Sequence, residues 1–349
     1  MSVRLVIGGA SSDLYILENM VFQGTVLGPI LWNIFFADVS DAVVAQNGFV
    51  DTKFADDLSA CKEFANETAN SDIMGELHAC QTRVHNWGVQ NRVIFDAGKE
   101  EFCILDPSHG VGRPFRLLGP IIDPKLRMHE CVDKVYKRAK PKARRLLLAA
   151  RFFTQRDLVK QFKAHIWGVI ESVTAAVYHA APSTIAKLDR VQSSFVEKIG
   201  LTERQAFLWY GMHPLVLRRD VAMLGVLYKC GHQIAHPDLL ELFPRVSSAR
   251  IAQTSTRRFQ SQHSRQLLLR HHGDQRMEFH RSIFGLVKIW NVLPSAIVES
   301  EDIPAFQRAL TDIARKACES DCPGWSRVFS PPTISPVLLR MLLLFRDES

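Results

Sequence analysis

The chain has 349 residues, of which 47% are hydrophobic and 23% charged, with a formal net charge of +7. That length suits two or three domains with real cores, and the hydrophobic fraction excludes wholesale disorder. The charge is uneven: residues 1–100 carry six Lys/Arg against thirteen Asp/Glu, whereas residues 131–170 carry eleven Lys/Arg against two Asp. An acidic part beside a strongly basic one suits a metal-using site next to a polyanion grip, and the basic block alone also suits a solvated helix face.

In chain order, residues 3–7 and 14–17 read as strands around the Gly8–Asp13 loop. Gly24 to Pro29 form a glycine-flanked turn, and Pro29 suits the first turn of a helix predicted over 29–46. Residues 49–54 and 58–62 predict a hairpin with Asp56 and Asp57 at its tip. An amphipathic helix over 68–91 carries Ile73, Leu77, Cys80, Val84 and Trp87. Two short strands follow near 102–106 and 115–118.

From residue 129 the spacing turns helical. Val132, Val135, Ala139, Ala143 and Leu146 keep a helical rhythm, and Pro141 inside that run predicts a kink or a break. Leu158 to Ile170, Ile185 to Ile199 and residues 214–235 predict three more helices. Residues 247–281, rich in Ser, Gln, Arg and His, read as a mobile basic linker. A small helical piece over 283–320, a Pro-rich step and a packing helix over 337–345 complete the chain. No apolar run reaches the ~20 residues of a membrane helix, and the start lacks a signal-peptide pattern. Seven scattered cysteines give no disulfide framework, and the one close pair, Cys318 and Cys322, has no second pair to complete a zinc site. These features predict an intracellular protein, nuclear or cytoplasmic, and not a secreted one.

The chemistry concentrates in two motifs. Two adjacent carboxylates between apolar strands, Asp56 and Asp57, can hold Mg²⁺ or Mn²⁺ through oxygen. Thirty-three residues before Asp56, Gln23 and Gly24 open the run through Thr25, Val26, Leu27, Gly28 and Pro29 into a helix. Asp-Asp alone is also an ordinary turn sequence. Together, in this order and spacing, the motifs resemble the reverse transcriptase of non-LTR, LINE-type (jockey-like) retrotransposons. There a Gln-Gly turn before a helix contacts template and nucleotide, and a Phe/Tyr-Ala-Asp-Asp hairpin is catalytic. Phe22 stands where the family usually has Pro.

The resemblance implies an α+β fold: a partial polymerase palm of antiparallel sheet and helices over 1–128, then an all-α thumb-like region over 129–246. The linker over 247–281 and a small helical region over 282–349 follow. It further implies Asp56 and Asp57 as catalytic metal ligands, Gln23, Gly24 and Lys99 as nucleotide- or template-binding residues, and Phe115 to Gly119 as a primer-grip hairpin. Pro120 after Gly119 departs from the family pattern and removes a backbone donor. The implied partners are an RNA template, a DNA primer and deoxynucleotides. Lys137, Arg138, Lys142, Arg144 and Arg145 are the expected phosphate grip. The family's first catalytic Asp stands on a strand well before the Gln-Gly turn, and only 22 residues precede Gln23 here. The expectation is therefore a polymerase fragment that is inactive alone. The alternatives are a non-catalytic nucleic-acid-binding protein derived from a mobile element, and a truncated reading frame without a role.

Overall fold

The computed structural model describes residues 2–4, 6–16, 25–45, 48–246, 263–268, 276–331 and 333–347. The chain is mixed α+β, mostly helical, with small antiparallel two-stranded sheets. It divides into two compact units, one of residues 1–104 and 110–113 and the other of 105–109 and 114–349.

The first unit opens on β1 (Ser2–Val3), β2 (Val6–Ile7), β3 (Ala10–Ser11) and β4 (Tyr15–Ile16), where β1 pairs with β4 and β2 with β3. Helix α1 spans Gly28–Phe35 and α2 spans Val39–Val44. The single helix predicted over 29–46 is thus two. At the break the Ala37 carbonyl accepts from Lys53 Nζ at 2.9 Å and from Ser40 N at 3.4 Å, and Asp38 Oδ1 accepts from the Trp87 indole at 3.1 Å. Strands β5 (Phe49–Phe54) and β6 (Asp57–Lys62) pair in strict register from Phe49–Lys62 to Phe54–Asp57. Helix α3 (Asn70–Asn91) lays Ile73, Cys80, Val84 and Trp87 inward, the i, i+7, i+11, i+14 stripe of an amphipathic helix. Phe36, Val39, Val43 and Phe49 meet that stripe in a small core. β7 (Cys103–Ile104) pairs with β8 (Val111–Gly112).

The second unit starts from β9 (Phe115–Arg116) and β10 (Ile121–Ile122), an antiparallel hairpin. Pro120 does not disrupt it. The proline sits in the loop, where only its carbonyl is used, accepting from Leu117 N at 3.0 Å. Helix α4 (His129–Leu148) runs through Pro141 without a break. Pro141 lies on the exposed face, so the carbonyl it leaves unbonded one turn back, on exposed Lys137, faces water. α5 (Gln155–Phe162) is capped by Thr154 and leads through a wider π turn at Lys163–Trp167 into α6 (Gly168–Glu171). α7 (Thr174–Val177) and α8 (Pro182–Lys198) follow, and α8 ends at Gly200 with φ +76°, a left-handed position that glycine takes without strain. Val132, Ala139, Phe162, Ile166, Leu188 and Phe195 centre the core shared by α4, α5 and α8.

A second core joins α9 (Glu203–Tyr210), α10 (Leu215–Gly231) and α11 (Pro237–Leu242) to α12 (Met277–Arg281), α13 (Ile283–Trp290), α14 (Ser295–Val298), α15 (Ile303–Glu319) and α16 (Pro336–Asp347). Residues 282–342 therefore have no separate core: Trp290, Phe306 and Leu310 pack with Leu224, Leu227 and Tyr228 of α10. Nor is 247–281 a linker throughout. Residues 247–262 and 269–275 lie outside the described residues, but between them Leu267 is buried and exchanges two hydrogen bonds of 2.9 Å with the Asn291 side chain. Trp290 Nε1 donates to Arg265 O at 2.9 Å, and His263 Nε2 contacts Trp290 O at 3.0 Å. These polar groups satisfy one another inside the fold, which fixes the segment.

Candidate functional site

Asp56 and Asp57 stand where the sequence predicts, at the tip of the β5–β6 hairpin. The loop itself is Ala55 and Asp56, and Asp57 is the first residue of β6, opposite Phe54. Ala55 adopts a left-handed φ of +55°, a conformation that costs an L-residue about 1–2 kcal/mol and lets a two-residue loop close without splaying the strands. Both carboxylates are exposed.

The tip is tied to the helix that follows the predicted Gln-Gly turn. Trp32 Nε1 donates to Ala55 O at 2.8 Å. The Trp32 ring stacks on Phe36 at 5.0 Å, and Phe36 meets Trp87 edge-on at 5.6 Å, so aromatic contacts run from the core to the tip. Along the strands, Lys53 Nζ also donates to Ser40 Oγ at 2.5 Å, and Ser40 Oγ donates to Asp51 Oδ2 at 2.7 Å. Asp51 is thus spent on holding the hairpin to α2. Arg83 of α3 donates to Ala42 O at 2.9 Å and lies 5.9 Å from the Phe49 ring, fastening the same two elements.

Gln23 and Gly24 lie outside the described residues. Thr25, just after them, accepts from Gly28 N through its hydroxyl at 3.1 Å, a local bond that braces the turn into α1. Lys99 sits in a turn after α3, exposed, paired with Asp96 at 3.3 Å, and makes no described contact with Asp56 or Asp57. Lys137, Arg138, Lys142, Arg144 and Arg145 all lie on the exposed side of α4, opposite Cys131, Val132, Val135, Ala139 and Ala143. None has a carboxylate within ion-pair distance among the described residues. By contrast Lys187 of α8, which packs on α4, pairs with Asp133 of α4.

Among the described residues no group of three or more His, Cys, Asp or Glu gathers as a metal cage. Two carboxylates suit one hydrated Mg²⁺ shared with substrate phosphates. They do not supply the donors of a paired-metal centre, which needs a carboxylate from a second element. Cys318 and Cys322 are buried free thiols. Sequence reasoning missed Trp32, whose position inside an apolar helix gives no sign that its N–H reaches a hairpin 23 residues away.

No family model, no curated protein and no solved structure matches the chain. No described helix is long and apolar enough to cross a membrane.

Proposed function

We propose that the chain is a fragment of a reverse transcriptase of the non-LTR retrotransposon type. In this reading it binds a primed RNA template through phosphates and contributes Asp56 and Asp57 to a nucleotidyl-transfer site that requires a further carboxylate. The observation that supports it best is the bond from Trp32 to Ala55. It joins the two motifs on which the resemblance rests, the helix after Gln23 and Gly24 and the Asp56–Asp57 hairpin, although they are distant in sequence. Residues 1–128 then correspond to part of a palm, and 129–246 to a thumb-like region whose cations meet the template–primer backbone.

The protein's own residues have limited tasks here. The hairpin presents its carboxylates to water and substrate instead of burying them, and the α1–α2–α3 core holds the tip in place. Magnesium, when bound, would neutralise charge on the nucleotide phosphates. The exposed cations of α4 bind without reading sequence.

A second reading, a non-catalytic nucleic-acid-binding protein, is favoured by one contrast. Five exposed cations of α4 stand without described carboxylate partners, while the hairpin tip offers only two carboxylates. Primer extension on a primed RNA template with Mg²⁺ or Mn²⁺, measured together with template binding, tests the proposal. The expected result is salt-dependent binding by both the parent and Asp56→Ala, with no DNA synthesis by the chain alone. Absence of template binding, or synthesis that survives Asp56→Ala, would overturn it.

A further inference from the structure

We propose that the C-terminal end of α4 and the turns after it form a base-stacking platform for single-stranded nucleic acid. The proposal rests on the nucleic-acid part of the reading above and assigns it aromatic residues that the resemblance does not.

Large apolar side chains are exposed at the end of α4, in the turn after it and at the end of α9. Leu148 and Phe152 are each 72% exposed, Phe153 42% and Trp209 64%. Leaving such surface in water forgoes roughly 25 cal/mol per Å² of burial, and apolar side chains rimmed by charged ones are what interaction surfaces present. The seam beneath is fastened. Tyr210 Oη donates to Gln155 Oε1 at 3.2 Å, Lys163 Nζ donates to Tyr210 O at 2.6 Å, and Gln155 Nε2 donates to Ile199 O at 2.8 Å. The end of α9, with the Trp209 ring edge-on to Tyr210 at 6.5 Å, is therefore held against the start of α5, two residues beyond Phe153.

The charge around these rings selects the occupant. Arg144, Arg145, Arg151, Arg156 and Lys160 are exposed and have no ion-pair partner among the described residues. One carboxylate stands among them, Asp157, which accepts from the Thr154 hydroxyl at 2.6 Å and faces the charges of Lys160 and Arg156, so the five cations outnumber it. The Arg151 guanidinium lies over one face of the Phe152 ring at 4.7 Å in a direct cation–π contact, which leaves the opposite face of this largely exposed ring for a base and sets a cation beside its phosphate. A protein partner would need carboxylates to match this surface; a nucleic acid brings a phosphate with every base. In a duplex the base faces are hidden in the stack, so rings standing free to solvent can be used only by unpaired bases.

The test uses the full chain and anisotropy of labelled 12-nucleotide oligo(dT) and oligo(rU), beside a duplex DNA of equal length, across salt concentrations. Phe152→Ala and Trp209→Ala should each weaken single-strand binding by roughly 5- to 150-fold. They should leave duplex affinity and the salt slope unchanged, and Trp209→Phe should restore most of the loss. Both alanine variants sit at exposed positions, and retained duplex binding reports that the fold is intact. Three results would overturn the platform: unchanged single-strand binding in the alanine variants, equal losses on single strand and duplex, or variants that alter only self-association of the chain. Retained salt-dependent duplex binding separates failure of the platform alone from failure of the nucleic-acid reading, in which neither probe binds.

Discussion

The Trp32 indole N–H donates to the carbonyl of Ala55 at 2.8 Å, joining α1 to the tip of the β5–β6 hairpin. A hairpin of two six-residue strands is marginal by itself, so its tip depends on such attachments. Trp32→Phe keeps the aromatic packing with Phe35 and Phe36 but removes the donor. The expected cost is about 0.5–1.5 kcal/mol. Amide exchange should quicken at the β5–β6 ladder before it changes in α3, which a residue-resolved exchange measurement reads directly.

Ala55→Gly should act in the opposite direction. At a φ of +55° alanine bears a penalty that glycine does not, and the gain exceeds the extra entropy of glycine in the unfolded chain. We expect the hairpin amides to gain about 0.5–1 kcal/mol of protection. A β-branched residue there, as in Ala55→Val, should lose protection in the same assay.

Two groups of the second unit, the buried Asp220 and the half-buried His213, give opposing pH dependences. Burial pushes Asp220 up to about 6, against the donated hydrogen bonds of Ser330 and Tyr178 and the charges of Arg219 and Arg327. The native state therefore takes up a proton between about pH 6 and 4 before the unfolded chain does, and this contribution raises stability as pH falls. Burial, with Arg218, Lys163 and Arg315, lowers His213 from 6.5 to about 4. There the unfolded chain binds the proton first, and the contribution falls as pH drops from about 6.5 to 4. Each is worth on the order of 2–3 kcal/mol across its window, so they largely cancel in the parent. Denaturant midpoints between pH 4 and 7 should separate them: relative to the parent, Asp220→Asn loses stability as pH falls and His213→Phe gains it.

Replacing Lys137, Arg138, Lys142, Arg144 and Arg145 of α4 by Gln keeps helix propensity while removing charge. For every phosphate that is no longer neutralised, the salt slope of template binding should fall by about 0.7–0.9. Equal affinity of parent and variant at every salt concentration would place the grip elsewhere.

Much of this arrangement is legible from the sequence because it follows local rules. The Asp56–Asp57 hairpin lies between two strand-length runs, and the α3 and α4 stripes repeat at helical spacing. What escaped depends on long-range interactions. At the split of α1 from α2 stand bonds from Lys53 and Trp87, long-range partners that no local pattern encodes. The polar composition around Leu267 resembles a linker, yet Asn291 and Trp290 give its backbone partners within the fold. Pro141 breaks helices buried on all sides, but here it faces water. Phe152 and Trp209 are apolar residues whose exposure is a tertiary fact, so their sequence positions do not distinguish them from core residues.

The proposed role of the hairpin carboxylates is tested most directly by Mn²⁺, whose paramagnetism broadens the NMR signals of nearby amides. Titrated into the full chain bound to primed RNA template and a deoxynucleoside triphosphate, Mn²⁺ should broaden Ala55, Asp56 and Asp57 first, and Asp56→Asn should abolish that selectivity while template binding persists. Broadening centred away from the hairpin, or unchanged in Asp56→Asn, would contradict the assignment of Asp56 and Asp57 to a nucleotidyl-transfer site.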